Sequence, residues 1–220
     1  MPDATDRPLR HIYVAPREAA AGPCPAVVML HGLGANEYDL LPLARHFPAS
    51  AQYIAVRAPR PYALGGAAWH ELTDFGKLTP EAGSFRQSFD RLADFLRQAK
   101  ERYPIDPGRL YLLGFSMGGA MSLASVLNRP EEFAGLVGLS GYLPDGIDVE
   151  LHWGAVAGFP CFIGHGVHDP LVPVERGREI RDRLAGAGAE LTYREYPMEH
   201  GISDETLRDV IAWLEARLGP

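Results

Sequence analysis

The chain has 220 residues, 46% of them hydrophobic, and carries 21 Lys and Arg against 28 Asp and Glu for a net charge of −7. That length buries one good core and is short for two, so a single domain over residues 1–220 is expected. Opposite charges are interspersed, leaving no basic stripe for phosphates and no polybasic anchor for anionic lipid, which excludes nucleic acid as an expected partner. Cys24 and Cys161 both lie in apolar runs of buried-strand type, which argues for free thiols over a disulfide framework. The N-terminal "MPDATDRPLR" is polar where a secretory signal has an apolar core, and no apolar run reaches a membrane span. A soluble cytoplasmic protein without stable membrane insertion is expected.

In chain order, "PAVVMLHG" (25–32) reads as the first strand, 37–47 as a weakly patterned helix and "QYIAVRAP" (52–59) as the second strand. Residues 60–83 show no clear period; a loop of that length inside a compact domain is usually functional. A helix follows over 84–103, with Phe85, Phe89, Leu92, Leu96 and Ala99 on one face, Ser84 and Gln87 as a capping box, and Pro104 as its stop. Next come the strand "RLYLLGF" (109–115), a helix over 117–128, and the strands "FAGLVGLSG" (133–141) and "FPCFIGHG" (159–166). A helix over 174–186, the strand "LTYREYP" (191–197) and a final helix from Ser203 complete the chain. That helix opens with Asp204 and Glu205 at its positive end and places Leu207, Val210, Ile211, Leu214 and Leu218 on one face. Several strands are apolar at successive positions, as strands covered on both faces are. The alternation predicts an α/β fold with a mostly parallel central sheet and helices on both sides.

Chemistry concentrates at "GFSMGG", residues 114–119, where Ser116 follows a strand and opens a helix. With eight serines and 24 glycines, composition gives roughly 0.1 chance occurrences of G-x-S-x-G, so the match in this context carries weight. A strand-to-helix turn that sharp strains the serine, and a side chain at 114 or 118 would strike neighbouring backbone. A nucleophilic serine needs a base and an orienting acid, arriving in this fold in the order Ser, Asp, His. His200 in "MEHGIS" and Asp169 in "GHGVHDPLVP" stand beyond the C-terminal ends of strands, where open α/β sheets build their sites. His165 and His168 are rival bases near the same turn, and Asp145 and Asp148 are rival acids; His168 would break the chain order. An oxyanion hole needs the amide after the nucleophile, Met117, and one from a loop after an early strand, for which "HGLG" offers Leu33.

With these pieces the chain resembles the α/β-hydrolase superfamily, and within it the phospholipase/carboxylesterase family of bacterial carboxylesterases and acyl-protein thioesterases. The resemblance runs from "VVMLHGLGANEYDL" through "LLGFSMGGAMSL" and "GLSGYLP" to "GHGVHDPLVPVERG" and "YPMEHGIS". It implies Ser116 as nucleophile, His200 as base, Asp169 as orienting acid, and the Leu33 and Met117 amides as oxyanion donors. Many relatives carry glutamine after the nucleophile; Met117 keeps the amide but not the polar side chain. The expectation is a serine hydrolase of short to medium acyl esters or thioesters, with no metal or organic cofactor and no large lid domain. A small-molecule substrate is its expected partner, with a homodimer left open. The alternatives are an acyltransferase on the same triad and a catalytically silent hydrolase fold that binds a ligand. Within the 60–83 stretch, Trp69, Leu72 and Phe75 are expected to line a substrate pocket together with Leu171.

Overall fold

The computed structural model describes residues 8–18 and 22–219, so most of the polar N-terminal stretch, residues 1–7, lies outside the described residues. The strands in chain order are β1 (His11–Val14), β2 (Cys24–Leu30), β3 (Gln52–Val56), the short β4 (Arg60–Pro61), β5 (Ala67–Ala68), β6 (Leu72–Asp74) and β7 (Thr79–Pro80), then β8 (Ile105–Phe115), β9 (Gly135–Leu139), β10 (Pro160–Gly166) and β11 (Glu190–Tyr196). Four helices accompany them among the described residues: α1 (Ala82–Arg102), α2 (Met117–Asn128), α3 (Val174–Gly186) and α4 (Asp204–Leu218). The main sheet has the order β1-β3-β2-β8-β9-β10-β11. Within it β1 lies antiparallel on β3 and every other pair is parallel.

The uninterrupted apolar runs follow from burial on both faces. In β2, Ala26, Val28 and Leu30 join the core beneath α1, α2 and α3, while Val27 and Met29 join the core beneath α4. Strands β3 and β8 divide in the same way, with Ile54, Val56, Leu110 and Leu112 on one side and Tyr53, Ala55, Tyr111 and Leu113 on the other. Cys24 and Cys161 are buried and free, and burial pushes the Cys161 thiol up to about 12.

The structure departs from the sequence reading at four places. Strand β1 was not anticipated, because four half-buried residues make too short a pattern to see. The 37–47 helix reduces to a five-residue 3₁₀ segment, Leu41–Arg45, with proline in its first turn. Helix α1 begins before Ser84: Glu81 is its cap, its carboxylate accepting from the Gly83 and Ser84 amides at 3.0 and 2.6 Å. Ser84 instead donates to the Glu81 carbonyl and accepts from the Glu71 amide, fastening the helix start to the preceding segment. That segment is two hairpins, β4 with β5 and β6 with β7, whose short strands are below the length at which alternation becomes visible.

The turn between β8 and α2 is closely packed against its neighbours. Ser116 holds φ 55° and ψ −118°, a conformation costly for a residue with a side chain. A Cβ on Gly118 would lie 2.1 Å from the Leu30 carbonyl oxygen, and one on Gly114 would lie 2.3 Å from the Gly118 carbonyl oxygen. Only glycine permits both approaches.

Three buried histidines tie the loops at this end of the sheet. His31 donates through Nδ1 to the Gly32 carbonyl at 2.6 Å and accepts the Ala58 amide on Nε2 at 3.0 Å. His70 donates to the Glu71 carbonyl at 3.0 Å and accepts from the Tyr142 hydroxyl at 3.1 Å. His165 donates to the Val172 carbonyl at 2.8 Å. Burial lowers the pKa of all three, that of His70 from 6.5 to about 4.

Two predictions follow from these contacts. Because the folded state holds these histidines neutral, the unfolded chain binds more protons below pH 6.5. Their contribution is therefore complete above that pH and is lost as the pH falls; for His70 the loss runs down to about 4 and amounts to on the order of 3 kcal/mol. Urea midpoints measured down this range should fall steeply, and His70→Phe should flatten the fall; an unchanged slope in that variant would remove His70 from the account. Gly118→Ala should cost about 3 kcal/mol or more, since the clash is with backbone. Its urea midpoint should drop well below that of an Ala substitution at the open Gly154.

Candidate active site

Ser116, Asp169 and His200 arrive from three separate strand ends. The tight turn lifts Ser116 to the head of α2, whose aligned peptide dipoles put partial positive charge beside the hydroxyl. The Ser116 amide donates to the Leu139 carbonyl at 2.8 Å, anchoring the turn on the next strand. Beyond β10 and β11 the chain stays stitched: the Val167 amide donates to the Tyr196 carbonyl at 2.8 Å and the His168 amide to the Met198 carbonyl at 3.1 Å. Gly166 makes this approach feasible, since a Cβ there would lie 2.4 Å from the Met198 carbonyl oxygen. The loop bearing Asp169 and the loop bearing His200 thus lie side by side.

The Ser116 hydroxyl donates to His200 Nε2 at 3.0 Å, and His200 Nδ1 donates to Asp169 Oδ2 at 2.6 Å. Asp169 Oδ1 accepts from the Leu171 and Val172 amides at 2.9 and 2.8 Å. The carboxylate is thereby fully buried and fully bonded, with its position set by its own loop. His200 remains part-exposed, and the Phe115 ring packs against it with centroids 4.8 Å apart.

The rival residues stand elsewhere. Asp145, Asp148 and His168 are exposed. His165 is fully buried in β10, its Nε2 3.7 Å from Asp169 Oδ2, where it braces the acid loop through Val172 and does not reach Ser116. Phe115 and His31 are contacts the sequence reading did not assign, and His165, weighed there as a rival base, is a brace instead. The strand-ending "HG" pairs at 31–32 and 165–166 were the visible signal, for a histidine at a buried strand end needs local partners.

Next to Ser116 and His200 is a cleft of two arms. The smaller, about 270 Å³, includes Ser116, His200, Leu171, Val172 and Tyr142 in its wall, and the larger, about 820 Å³, includes Tyr62, Ala68, His70 and Ser88. Leu33, Leu72, Phe75 and Met117 belong to both walls. Of the four residues expected to line a pocket, Leu72, Phe75 and Leu171 do so and Trp69 does not. Trp69 is completely buried, donating its indole N–H to the His31 carbonyl at 3.0 Å, so it anchors the segment beneath the cleft. A large flat ring with one donor satisfies both needs best in the core.

Comparison with known proteins agrees with this architecture. The model of the phospholipase/carboxylesterase family matches residues 14–218. The chain is 28% identical to acyl-protein thioesterase 1 of Cryptococcus neoformans over 94% of its own length and 96% of the relative's. It is similar to a carboxylesterase from Mesorhizobium loti, 26% identical with a TM-score of 0.78 and 89% of each chain covered. The Bacillus cereus carboxylesterase shares the fold, with a TM-score of 0.81 at 23% identity over 96% of each chain. Among the described residues no helix is long and apolar enough to cross a membrane. With a seven-stranded, mostly parallel sheet and a family match over nearly its whole length, this chain belongs to the phospholipase/carboxylesterase family of α/β hydrolases.

Proposed function

We propose that the protein is a serine carboxylesterase or thioesterase acting on short to medium acyl groups, with Ser116, His200 and Asp169 as its triad. The observation that carries this reading is the unbroken hydrogen-bond chain from the Ser116 hydroxyl through His200 to a buried Asp169. In the first step Ser116 Oγ bonds to the acyl carbon while its proton passes to His200 Nε2; that proton then goes to the departing alcohol or thiol as its bond to the acyl carbon breaks. In the second, water attacks the acyl-serine, gives a proton to His200, and releases the acid as Ser116 regains its proton. Asp169 keeps Nδ1 protonated, so Nε2 presents a lone pair to the serine.

The Leu33 and Met117 amides are the oxyanion donors in this reading. Both residues border the arms where the carbonyl would lie, and Met117 opens α2 directly after the nucleophile. The Gly32 carbonyl is held by His31, and in a trans peptide the Leu33 N–H points the opposite way, away from that ring. Relatives named as thioesterase and as carboxylesterase both support acyl transfer to water, so the leaving atom can be oxygen or sulfur. The complete triad disfavours a silent ligand-binding fold, and the open, part-exposed His200 favours water over a dedicated acyl acceptor.

Ser116→Ala should abolish ester hydrolysis and labelling by a fluorophosphonate while leaving the far-ultraviolet circular dichroism unchanged. Turnover near wild type in pure variant protein would end the proposal. Asp169→Asn should lower kcat by on the order of 10⁴, whereas the same change at Asp145 or Asp148 should leave it near wild type. On p-nitrophenyl esters, kcat/KM should rise about fourfold per added methylene from acetate and level off once the cleft is filled. Phe75→Ala should shallow that slope; a slope equal to wild type would take Phe75 out of substrate binding.

A further inference from the structure

The two arms of the cleft are not equivalent. The proton that His200 carries must reach the leaving atom, so the leaving group belongs on the side that holds His200, the smaller arm. With the carbonyl oxygen directed at the Leu33 and Met117 amides, the acyl chain is left with the larger arm, whose wall contains neither Ser116 nor His200.

That wall carries donors without partners. Ser88, on α1, is 1% exposed, and its hydroxyl has no hydrogen-bond partner. A serine inside a helix commonly turns its hydroxyl back to the carbonyl four residues earlier, as Ser125 does to Met121 at 2.9 Å. Ser88 does not. On the same wall the Arg60 Nε is buried and unbonded, while its terminal nitrogens hold Gln87 and Glu71. A buried polar group without a partner is costly and calls for an explanation. The charged side chains of this wall balance, two arginines, Arg60 and Arg91, against two carboxylates, Glu71 and Asp90, with Arg60 paired to Glu71. An anionic ligand therefore meets no excess of positive charge, whereas an uncharged oxygen meets two donors.

Building on the hydrolase reading above, we propose that the larger arm selects acyl groups bearing an uncharged oxygen, a hydroxyl or amide carbonyl, remote from the ester carbonyl. The Ser88 hydroxyl and the Arg60 Nε–H receive that oxygen, and an aliphatic acyl chain of equal length leaves both unsatisfied.

The test uses ethyl esters of butanoic, hexanoic and octanoic acid, each compared with its terminal-hydroxy and terminal-carboxylate counterparts. Binding is measured by calorimetry on Ser116→Ala protein, which needs no turnover, and kcat/KM is measured on the wild type. At the length that reaches Ser88, the hydroxy ester should be favoured about tenfold over both the plain and the carboxylate ester. Ser88→Ala should cut that ratio severalfold, Arg60→Lys, which removes Nε–H but keeps the charge, should also reduce it, and the double variant should bring it to about one. A ratio near one at every length, or a ratio that Ser88→Ala leaves unchanged, overturns the subsite and leaves Ser88 satisfied by ordered water only. Preference for the carboxylate ester would overturn the uncharged-oxygen assignment. Failure of the hydrolase reading shows separately, as wild-type protein that neither turns over nor takes a fluorophosphonate while the binding ratio stands.

Discussion

The contact between the backbone of the β8–α2 turn and the end of β2 governs this end of the molecule. With the Leu30 carbonyl oxygen 2.1 Å from where a Cβ at 118 would stand, the first turn of α2 lies directly on the neighbouring strand. That closeness holds Ser116 in its strained conformation and leaves its side chain beyond the C-terminal end of the central strand β8, beside His200. It also brings the Met117 amide near the loop that follows β2, because Gly32 packs against Ser116 and Phe115: a Cβ there would lie 3.4 and 3.2 Å from them. Nucleophile and both amide donors proposed for the oxyanion thus derive their spacing from one steric fact. The strain is held because α2 is buried along nearly its whole length and cannot relax outward.

A second constraint aligns Asp169 and His200. Strands β10 and β11 pair in parallel from Pro160 with Glu190 to Gly166 with Tyr196, and the hydrogen bonds continue past the strand ends into both loops. Asp169 then needs little help from elsewhere, since the amides of Leu171 and Val172 bond one oxygen and His200 the other. His165 supports this from beneath through the Val172 carbonyl, and Gly177 of α3 makes room for its ring. Buried this way, the carboxylate is costly to move, so the imidazole orientation inherits the rigidity of the sheet.

The hairpin segment after β3 has a different physical character. Trp69 and His70 are buried and hydrogen-bonded, pinning it to His31 and Tyr142. Phe75, at the tip of the β6–β7 hairpin, is 57% exposed, and Leu171 across the smaller arm is 54% exposed. Fixed roots and exposed tips let this wall shape a cleft while the strand ends that carry Ser116, Asp169 and His200 remain unaffected. Variation at Leu72, Phe75 or Ser88 would change what enters without disturbing the triad contacts.

Sequence alone determined the parts whose cause is local. Residues that alternate between two cores make uninterrupted apolar strands; Gly114, Ser116 and Gly118 announce a turn only glycine allows; and chain order with placement at strand ends favoured His200 and Asp169 while leaving Asp145 and Asp148 as rival acids. Such features are legible because neighbours in the chain produce them. Tertiary structure decided what distant segments do to one another. It buried Trp69 away from the cleft where its aromatic character had suggested lining, and made Glu81 the cap that Ser84 had resembled. It chose Asp169 over Asp145 and Asp148 as the partner of His200 and left the Ser88 hydroxyl without one. No pattern along the chain encodes these outcomes, because each depends on which group occupies the space opposite, and packing between remote segments settles that.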